Sequence, residues 1–467
     1  MSNTSIVIPE KNRTLGKKLT SIFFILLSVA ATIYSVQINS IGAAVFSLLF
    51  FFLFLGLPIA VSLGLSSLLA IYYFTTEPMP DFARQIFTGL DSFPLMAIPF
   101  FVLAGNIFTT GGVAKRLIDL TNTFVGHIPG GLSIAGVFAS ALFAAISGSS
   151  PATVVAIGGI IIPAMVKQGY PLKYAVGSIS TAGSLGILIP PSIPMIVYAV
   201  SVDVSVGRLF LAGIIPGIFL ALMMAYVSYY IAKKNNYPLK EKSTAKEKWL
   251  AFRHSIWSLS LPLIIIGGIY SGWFTPTESA AVAIFVGLFV GFFIHKDLKV
   301  THMPKILVDS AKTTAMLFFI ISMAMLFAHI LTFERIPHKI AEMIVGMNVG
   351  PILFLLIVNI LLFIAGQFME PTAILTILAP ILFPVAMALG IDPIHLGIIM
   401  VVNMEVGMIT PPVGLNLYVA SGLTGMKLMD VTKSAVPWLI AVIIGLAVIT
   451  YVPQISLWLP NLLYSLR

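Results

Sequence analysis

Apolar stretches of about 20 residues, the length a helix needs to cross a bilayer, recur along almost the whole of this sequence. They fall at 19–36, 41–56, 57–74, 93–110, 173–200, 209–232, 256–272, 278–294, 311–332, 393–420 and 434–459. No water-soluble core could absorb so many. Only 9% of the 467 residues are charged and 58% are hydrophobic, whereas a soluble domain carries roughly 25% charged residues to face water. The chain reads as an all-α polytopic membrane protein. It has no cysteine, which removes disulfides, thiolate metal sites and cysteine nucleophiles together.

Two further apolar blocks, 132–167 and 351–388, are built differently. Each divides into two arms of roughly 17 residues, short for a full crossing, around a small or polar tip. The tips are Ser147-Gly148-Ser149-Ser150 and Gly366-Gln367-Phe368-Met369-Glu370. Such blocks are expected to be re-entrant helical hairpins.

Charge orients the spans. With the N-terminus in the cytoplasm, segments 1–18, 111–131, 167–173, 233–253, 295–312 and 421–433 lie inside and hold 21 of the 26 Lys and Arg residues. The outer segments keep only Arg84, Arg208, Arg335, Lys339 and Arg467. Excess Lys and Arg in short cytoplasmic loops is the rule for inner-membrane proteins, so the net charge of +9 is a topology signal and not a nucleic-acid surface. Lys11, Arg13, Lys17 and Lys18 before an apolar run also fit a signal peptide. Residues 19–36, however, end without a small-x-small cleavage site, and they are read as a retained anchor helix.

An internal repeat carries the functional information. Ser150-Pro151-Ala152-Thr153 precedes Glu370-Pro371-Thr372-Ala373 by 220 positions, and Gly186-Ile187-Leu188-Ile189-Pro190-Pro191 precedes Gly407-Met408-Ile409-Thr410-Pro411-Pro412 by 221. Tyr198 and Tyr418, and Pro216 and Pro437, keep the same offsets. In the charge-derived topology the first hairpin enters from inside and the second from outside, so the repeats are inverted. Inverted repeats with Gly- and Pro-interrupted helices at matching places mark a secondary transporter and its central site. The expected organisation is an N-terminal segment with an extra anchor helix (1–40), scaffold helices (41–92), a first repeat (93–232), a basic loop with scaffold helices (233–310), and a second repeat (311–467).

In hydrocarbon a broken helix survives only where it lines a protein cavity or binds something. The Pro-Pro pairs remove backbone donors and free carbonyls near Gly183–Ile189 and Glu405–Thr410. Ser149, Ser150, Thr153, Thr372, Thr410 and Asn416 add neutral oxygens, a donor set suited to a hard monovalent cation. Two cation sites are expected. One lies around Ser149, Ser150, Thr153, Gly183 and Gly186, and the other around Thr372, Gly407, Thr410 and Gly414. Pro151 and Pro371 stand at the favoured first helical position, so the arms they open aim positive N-termini into the cavity, where a carboxylate can bind. Ser149, Ser150, Pro151, Glu370, Pro371, Thr372 and Asn416 are the candidate substrate residues.

Plainer roles compete. Ser150 also fits a simple N-cap. Glu370, a long side chain and a poor cap, fits either cation contact, a proton relay or a water-facing rim. Glu405, inside a broken crossing, favours function, although its counterpart Ser184 is uncharged. Thr275-Pro276-Thr277-Glu278 reads as a structural capping box.

The segments Leu95–Gly105 (LMAIPFFVLAG), Ser147–Thr153 (SGSSPAT), Gly183–Ser192 (GSLGILIPPS), Gly272–Ala283 (GWFTPTESAAVA) and Gly407–Gly414 (GMITPPVG) together resemble the large membrane subunit of TRAP (tripartite ATP-independent periplasmic) transporters. The resemblance runs from about residue 41 to the C-terminus. It implies an elevator-type, sodium-driven importer of organic acids, such as a C4-dicarboxylate or sialic acid, in the inner membrane. It also implies two partners, a small membrane subunit and a periplasmic substrate-binding protein, the latter docking on outer segments such as 75–92, 201–207 and 333–350. Residues 1–40 depart from the pattern and resemble the connector of fused membrane subunits. The main rival is a stand-alone dicarboxylate or anion symporter of similar architecture. An ATP-driven pump would need a phosphate loop, and no G-x-x-x-x-G-K-[ST] occurs; no Ser/His or paired-Asp constellation suggests an enzyme, and no organic cofactor is expected. No Lys or Arg precedes Lys167 in either hairpin, so no residue announces a particular acid.

Overall fold

The structure, a computed structural model, describes residues 25–35, 37, 40–74, 79–347 and 349–465. The basic N-terminal residues, the start of the 19–36 stretch, Glu77 and Arg467 lie outside the described residues. The described chain opens on α1 (Ile25–Ser35), α2 (Ile41–Phe54), α3 (Ile59–Phe74) and α4 (Met79–Leu90). A 3-10 turn at Phe93–Met96 leads into α5 (Ala97–Thr110) and α6 (Val113–Val125). The first hairpin follows as α7 (Gly131–Ser147) and α8 (Ser150–Lys167). The first broken helix comprises α9 (Leu172–Ala182), a 3-10 turn over Gly183–Ile187, and α10 (Ile193–Ser201). Next come α11 (Val206–Lys234), α12 (Ala245–Tyr270) and α13 (Pro276–Phe289), then α14 (Met303–Phe333) and α15 (Ile336–Gly346). The second hairpin is α16 (Pro351–Gly366) and α17 (Pro371–Ala388). The second broken helix is α18 (Pro393–Met408) and α19 (Leu415–Thr424), followed by α20 (Leu428–Tyr451) and α21 (Gln454–Ser465).

Hairpin, broken helix and long helix thus occur twice in the same order. Eight of the described helical stretches are long and apolar enough to cross a bilayer, and the fold is that of a multi-pass membrane protein. The expected Thr275–Glu278 capping box forms, with the Thr275 amide donating to Glu278 Oε2 at 2.7 Å. A second box, Thr244 with Glu247, starts α12 eleven residues before the apolar run at 256, so half of the polar 233–253 segment is helical.

The crossing expected at 434–459 is present but shifted, running over Leu428–Tyr451. Its helix stops at Tyr451, and Val452 is non-helical before Pro453. The proline ring disfavours helical geometry in the residue it follows. Helices α4, α6, α15 and α21 lie in places that read as loops or span ends. α4 and α6 mix polar and apolar residues at helical spacing, which a search for unbroken apolar runs passes over.

The chain forms two compact units. In the smaller, within residues 1–90 and 318–340, glycines let helices approach closely, as membrane packing favours: Gly42 seats Ile336, Gly64 seats Met323 and Gly89 seats Met325. The larger unit holds both hairpins and both broken helices. Within it, Trp438 on α20 is 1% exposed, and its indole N–H donates to Ser228 Oγ on α11 at 2.9 Å.

Basic segments of the larger unit gather at common places. Lys115 and Arg116, Glu247 and His254, and Asp297 line one cavity, and Arg116 pairs with Asp297 at 2.6 Å. Lys173, Tyr237 and Lys433 line another, and the Tyr170 hydroxyl donates to the Pro238 carbonyl at 2.9 Å. Three of the segments expected inside by charge thus meet at one cavity and three at the other, with 233–253 common to both.

Candidate substrate and cation site

Six of the candidate substrate residues, Ser149, Ser150, Pro151, Glu370, Pro371 and Thr372, line a single cavity of about 360 Å3, within the range of small-molecule sites. Both hairpin tips contribute to its wall, although 220 residues separate them in sequence. Asn416 does not line it. That side chain is fully buried, donating from Nδ2 to Ser150 Oγ at 2.7 Å and to the Ser180 carbonyl at 3.3 Å, so it braces the first tip from behind.

The tips differ in a way that their matching sequences hide. Two residues, Gly148 and Ser149, separate α7 from α8, whereas four, Gln367 to Glu370, separate α16 from α17. Ser149 occupies the N-cap position of α8 but supplies no side-chain cap. Ser150 is the first helical residue, so the plain capping role fails for both serines. At the second tip Glu370 is the N-cap of α17 and its carboxylate accepts from the amides of Thr372 at 3.0 Å and Ala373 at 3.3 Å, and from the Thr372 hydroxyl. The positive end of α17 is thus already occupied by the chain's own carboxylate. The positive end of α8 faces the cavity without one.

The first cation set converges. Thr153 Oγ1 donates to the Ser149 carbonyl at 2.8 Å, and Ser150 Oγ lies 3.0 Å from the Gly183 carbonyl oxygen. Gly186 presses on the same tip: a Cβ there would stand 2.6 Å from the Ser149 carbonyl oxygen. In the second set Gly407 packs on the backbone of Gly366, and the Val413 amide donates to the Gln367 carbonyl at 3.1 Å. Thr410 donates its amide to the Gly407 carbonyl at 3.1 Å, and a Cβ on Gly414 would stand 2.9 Å from the Thr410 carbonyl oxygen. Thr372 belongs to the opposite arm of that hairpin, beside Glu370. Among the described residues no three His, Asp or Glu side chains converge, so the donors on offer are carbonyls and hydroxyls. Oxygen donors of this kind fit a hard cation.

Sequence reasoning missed several wall residues. Asn106 on α5 lines the cavity and donates to Ser310 Oγ at 2.8 Å; Thr313, Met316 and Leu317 on α14 complete that side. A lone asparagine in the apolar run 97–108 was the available signal. Glu370 is the cavity's sole charged lining residue among those described. Glu405 is fully buried on α18, and neither of its carboxylate oxygens has a hydrogen-bond partner among the described residues. Its repeat counterpart Ser184 is likewise buried with an unpartnered hydroxyl.

Two helical hairpins whose tips line one small cavity, beside two broken helices, are the arrangement of a secondary carrier. The solved structure of Neisseria gonorrhoeae MtrF, described as illuminating a class of antimetabolite efflux pumps, shares this fold with a TM-score of 0.57 at 15% identity over 86% of this chain and 93% of that one. The profile of the family "Tripartite ATP-independent periplasmic transporter, DctM component" matches residues 46–455, and the chain belongs to that family. It is 51% identical to the C4-dicarboxylate TRAP transporter large permease protein DctM of Rhodobacter capsulatus, across 90% of this chain and 98% of that protein. To the protein of the same name from Pseudomonas aeruginosa it is 54% identical, across 86% and 94%.

Proposed function

We propose that this chain takes up a C4-dicarboxylate or a related organic acid through the cavity between its hairpin tips, driven by sodium ions bound at the two glycine-lined sets. The observation that carries the reading is the unequal pair of tips. One carboxylate of the substrate is held at the uncapped N-terminus of α8, near Ser149 and Ser150. The α17 end is filled by Glu370, an acidic group beside the cavity that a co-bound cation would complement. Sodium would be held by the Ser149 and Gly183 carbonyls and the Thr153 hydroxyl in the first set, and by the Gly366, Gly407 and Thr410 region in the second. What the bound ions supply is positive charge next to an acidic substrate; orientation comes from the protein's own helix ends. The family implies a small membrane subunit and a periplasmic substrate-binding protein as partners, and the names of the relatives favour a C4-dicarboxylate.

Glu370→Ala should lower the kcat/KM of uptake by about fivefold to thirtyfold, the equivalent of a lost cap of about 1–2 kcal/mol. Glu370→Gln, whose side-chain oxygen can still accept from the Thr372 and Ala373 amides, should lose less. Wild-type uptake by Glu370→Ala in reconstituted vesicles would overturn the assignment of this tip. Coupling is tested separately: uptake that runs equally well on an inward choline gradient removes sodium from the scheme.

The charge distribution supports a cytoplasmic N-terminus and 233–253 segment, with the two repeats inverted. A single cysteine at Ser243 should resist a membrane-impermeant maleimide in intact cells and react fully once the membrane is opened. Labelling from outside would reverse the orientation.

A further inference from the structure

We propose that the cavity between the cytoplasmic ends of α9, α11 and α20 binds the headgroup of an anionic phospholipid, held by Lys173 and Lys433. The cavity measures about 230 Å3 and is lined by Lys173, Tyr174, Tyr237 and Lys433 together with apolar Ile231, Pro437 and Trp438. Asp430 also lines it, so its wall carries two ammonium groups against one carboxylate. Neither lysine forms a salt bridge among the described residues. Both side chains are exposed and free to turn toward a phosphodiester.

Depth fits the headgroup region. Lys173 is the second residue of α9, and Lys433 lies five residues into α20, on the order of 8 Å along its axis. Further lysines at 167, 233, 234 and 427 fall in the same three segments. An aromatic cluster marks the same level, as such rings do at membrane interfaces: Tyr174 stands 5.0 Å from Tyr237 and 5.4 Å from Trp438, centroid to centroid. The hydroxyl of Tyr174 and the indole N–H of Trp438 are both spent on Ser228, so the rings offer the cavity mainly apolar surface.

Acyl chains also have a path. α11 exposes Ile218, Leu222, Tyr226 and Tyr230, four apart and therefore on one face. α20, packed against α11 where Gly445 meets Leu220, exposes Val436 and Ile440 beyond Lys433. Basic pockets between transmembrane helices on the cytoplasmic side are suited to anionic headgroups. A free anion would use the lysines but leave the apolar walls and both stripes without purpose, which favours the lipid.

The test uses the purified full chain in detergent, titrated with phosphatidylglycerol or phosphatidylcholine and read by native mass spectrometry. Wild type should retain phosphatidylglycerol over phosphatidylcholine. The double variant Lys173→Gln, Lys433→Gln should bind phosphatidylglycerol about thirtyfold more weakly, with phosphatidylcholine unchanged. The control Lys240→Gln, Lys242→Gln removes equal charge from the same loop region outside the cavity and should bind as wild type does. Equal retention of the two lipids, or an equal loss in the control, overturns the proposal. Displacement of phosphatidylglycerol by millimolar inorganic phosphate would overturn it too, because it would assign the lysines to a soluble anion.

Discussion

Replacing Gly407 by valine should reduce uptake at least a hundredfold while leaving the protein in the membrane. A Cβ at this position would stand 2.6 Å from the carbonyl oxygen of Gly366 and 2.7 Å from its carbonyl carbon and Cα. These are backbone atoms and cannot rotate aside, so α16 must move. Overpacking of this kind costs about 1–3 kcal/mol, which a large membrane protein survives, but the displaced element carries the second tip. A shift of about 1 Å in a binding constellation is enough for a loss of about a hundredfold. Gly186→Val should do the same at the first tip, where the Cβ would meet the Ser149 carbonyl. Gly159→Val is the control: it lies on α8 of the first hairpin, a Cβ added there would meet nothing within 4 Å, and the variant should transport normally. Uptake by reconstituted protein under an imposed inward sodium gradient decides the matter. Wild-type activity in Gly407→Val would mean that the close approach of α16 and α18 has no part in the cycle.

Leaving out the periplasmic protein should bring uptake to background in proteoliposomes that hold both membrane subunits under an inward sodium gradient. The larger unit offers a cavity between hairpin tips but, among its described residues, no lobe of the kind that captures a ligand from dilute solution. The segments that the charge distribution assigns to the outside are instead rich in acids, including Asp91, Asp203, Glu334 and Glu342. A docking partner with a basic face would be drawn to such segments, and complementary charge of this kind raises the rate of encounter. Added sodium chloride should therefore slow delivery more than it weakens the docked complex. Full-rate concentrative uptake of free substrate without that protein would favour the stand-alone symporter.

The membrane-spanning architecture was legible in the sequence because its causes are local. Apolar length sets a crossing, a proline pair breaks one, and a small polar tip turns a hairpin back; all three act within about 20 residues. Hence the hairpins appear at Gly131–Lys167 and Pro351–Ala388 and the breaks at Gly183–Ile187 and after Met408, close to where the residues placed them. The repeat offset also carried over long range, and six of seven substrate candidates line one cavity.

What tertiary structure alone decided depends on atoms that sequence does not distinguish. Backbone carbonyls look the same at every residue, so the partner of Gly407 could not be read as Gly366, and the two extra residues in the second tip were hidden by the strong match that follows them. Asn416 looks like a ligand in sequence because it is polar in an apolar helix; packing instead turns it onto Ser150, where a buried amide finds its partners. Glu370 has too long a side chain to suggest a cap, yet from the N-cap position of α17 its carboxylate folds back onto two amides. Asn106 and Thr313 entered the cavity only because α5 and α14 pack beside the tips. The sequence determined which segments could break and turn in lipid; which groups then face one another was decided by long-range packing, where shape and not residue type selects the contact.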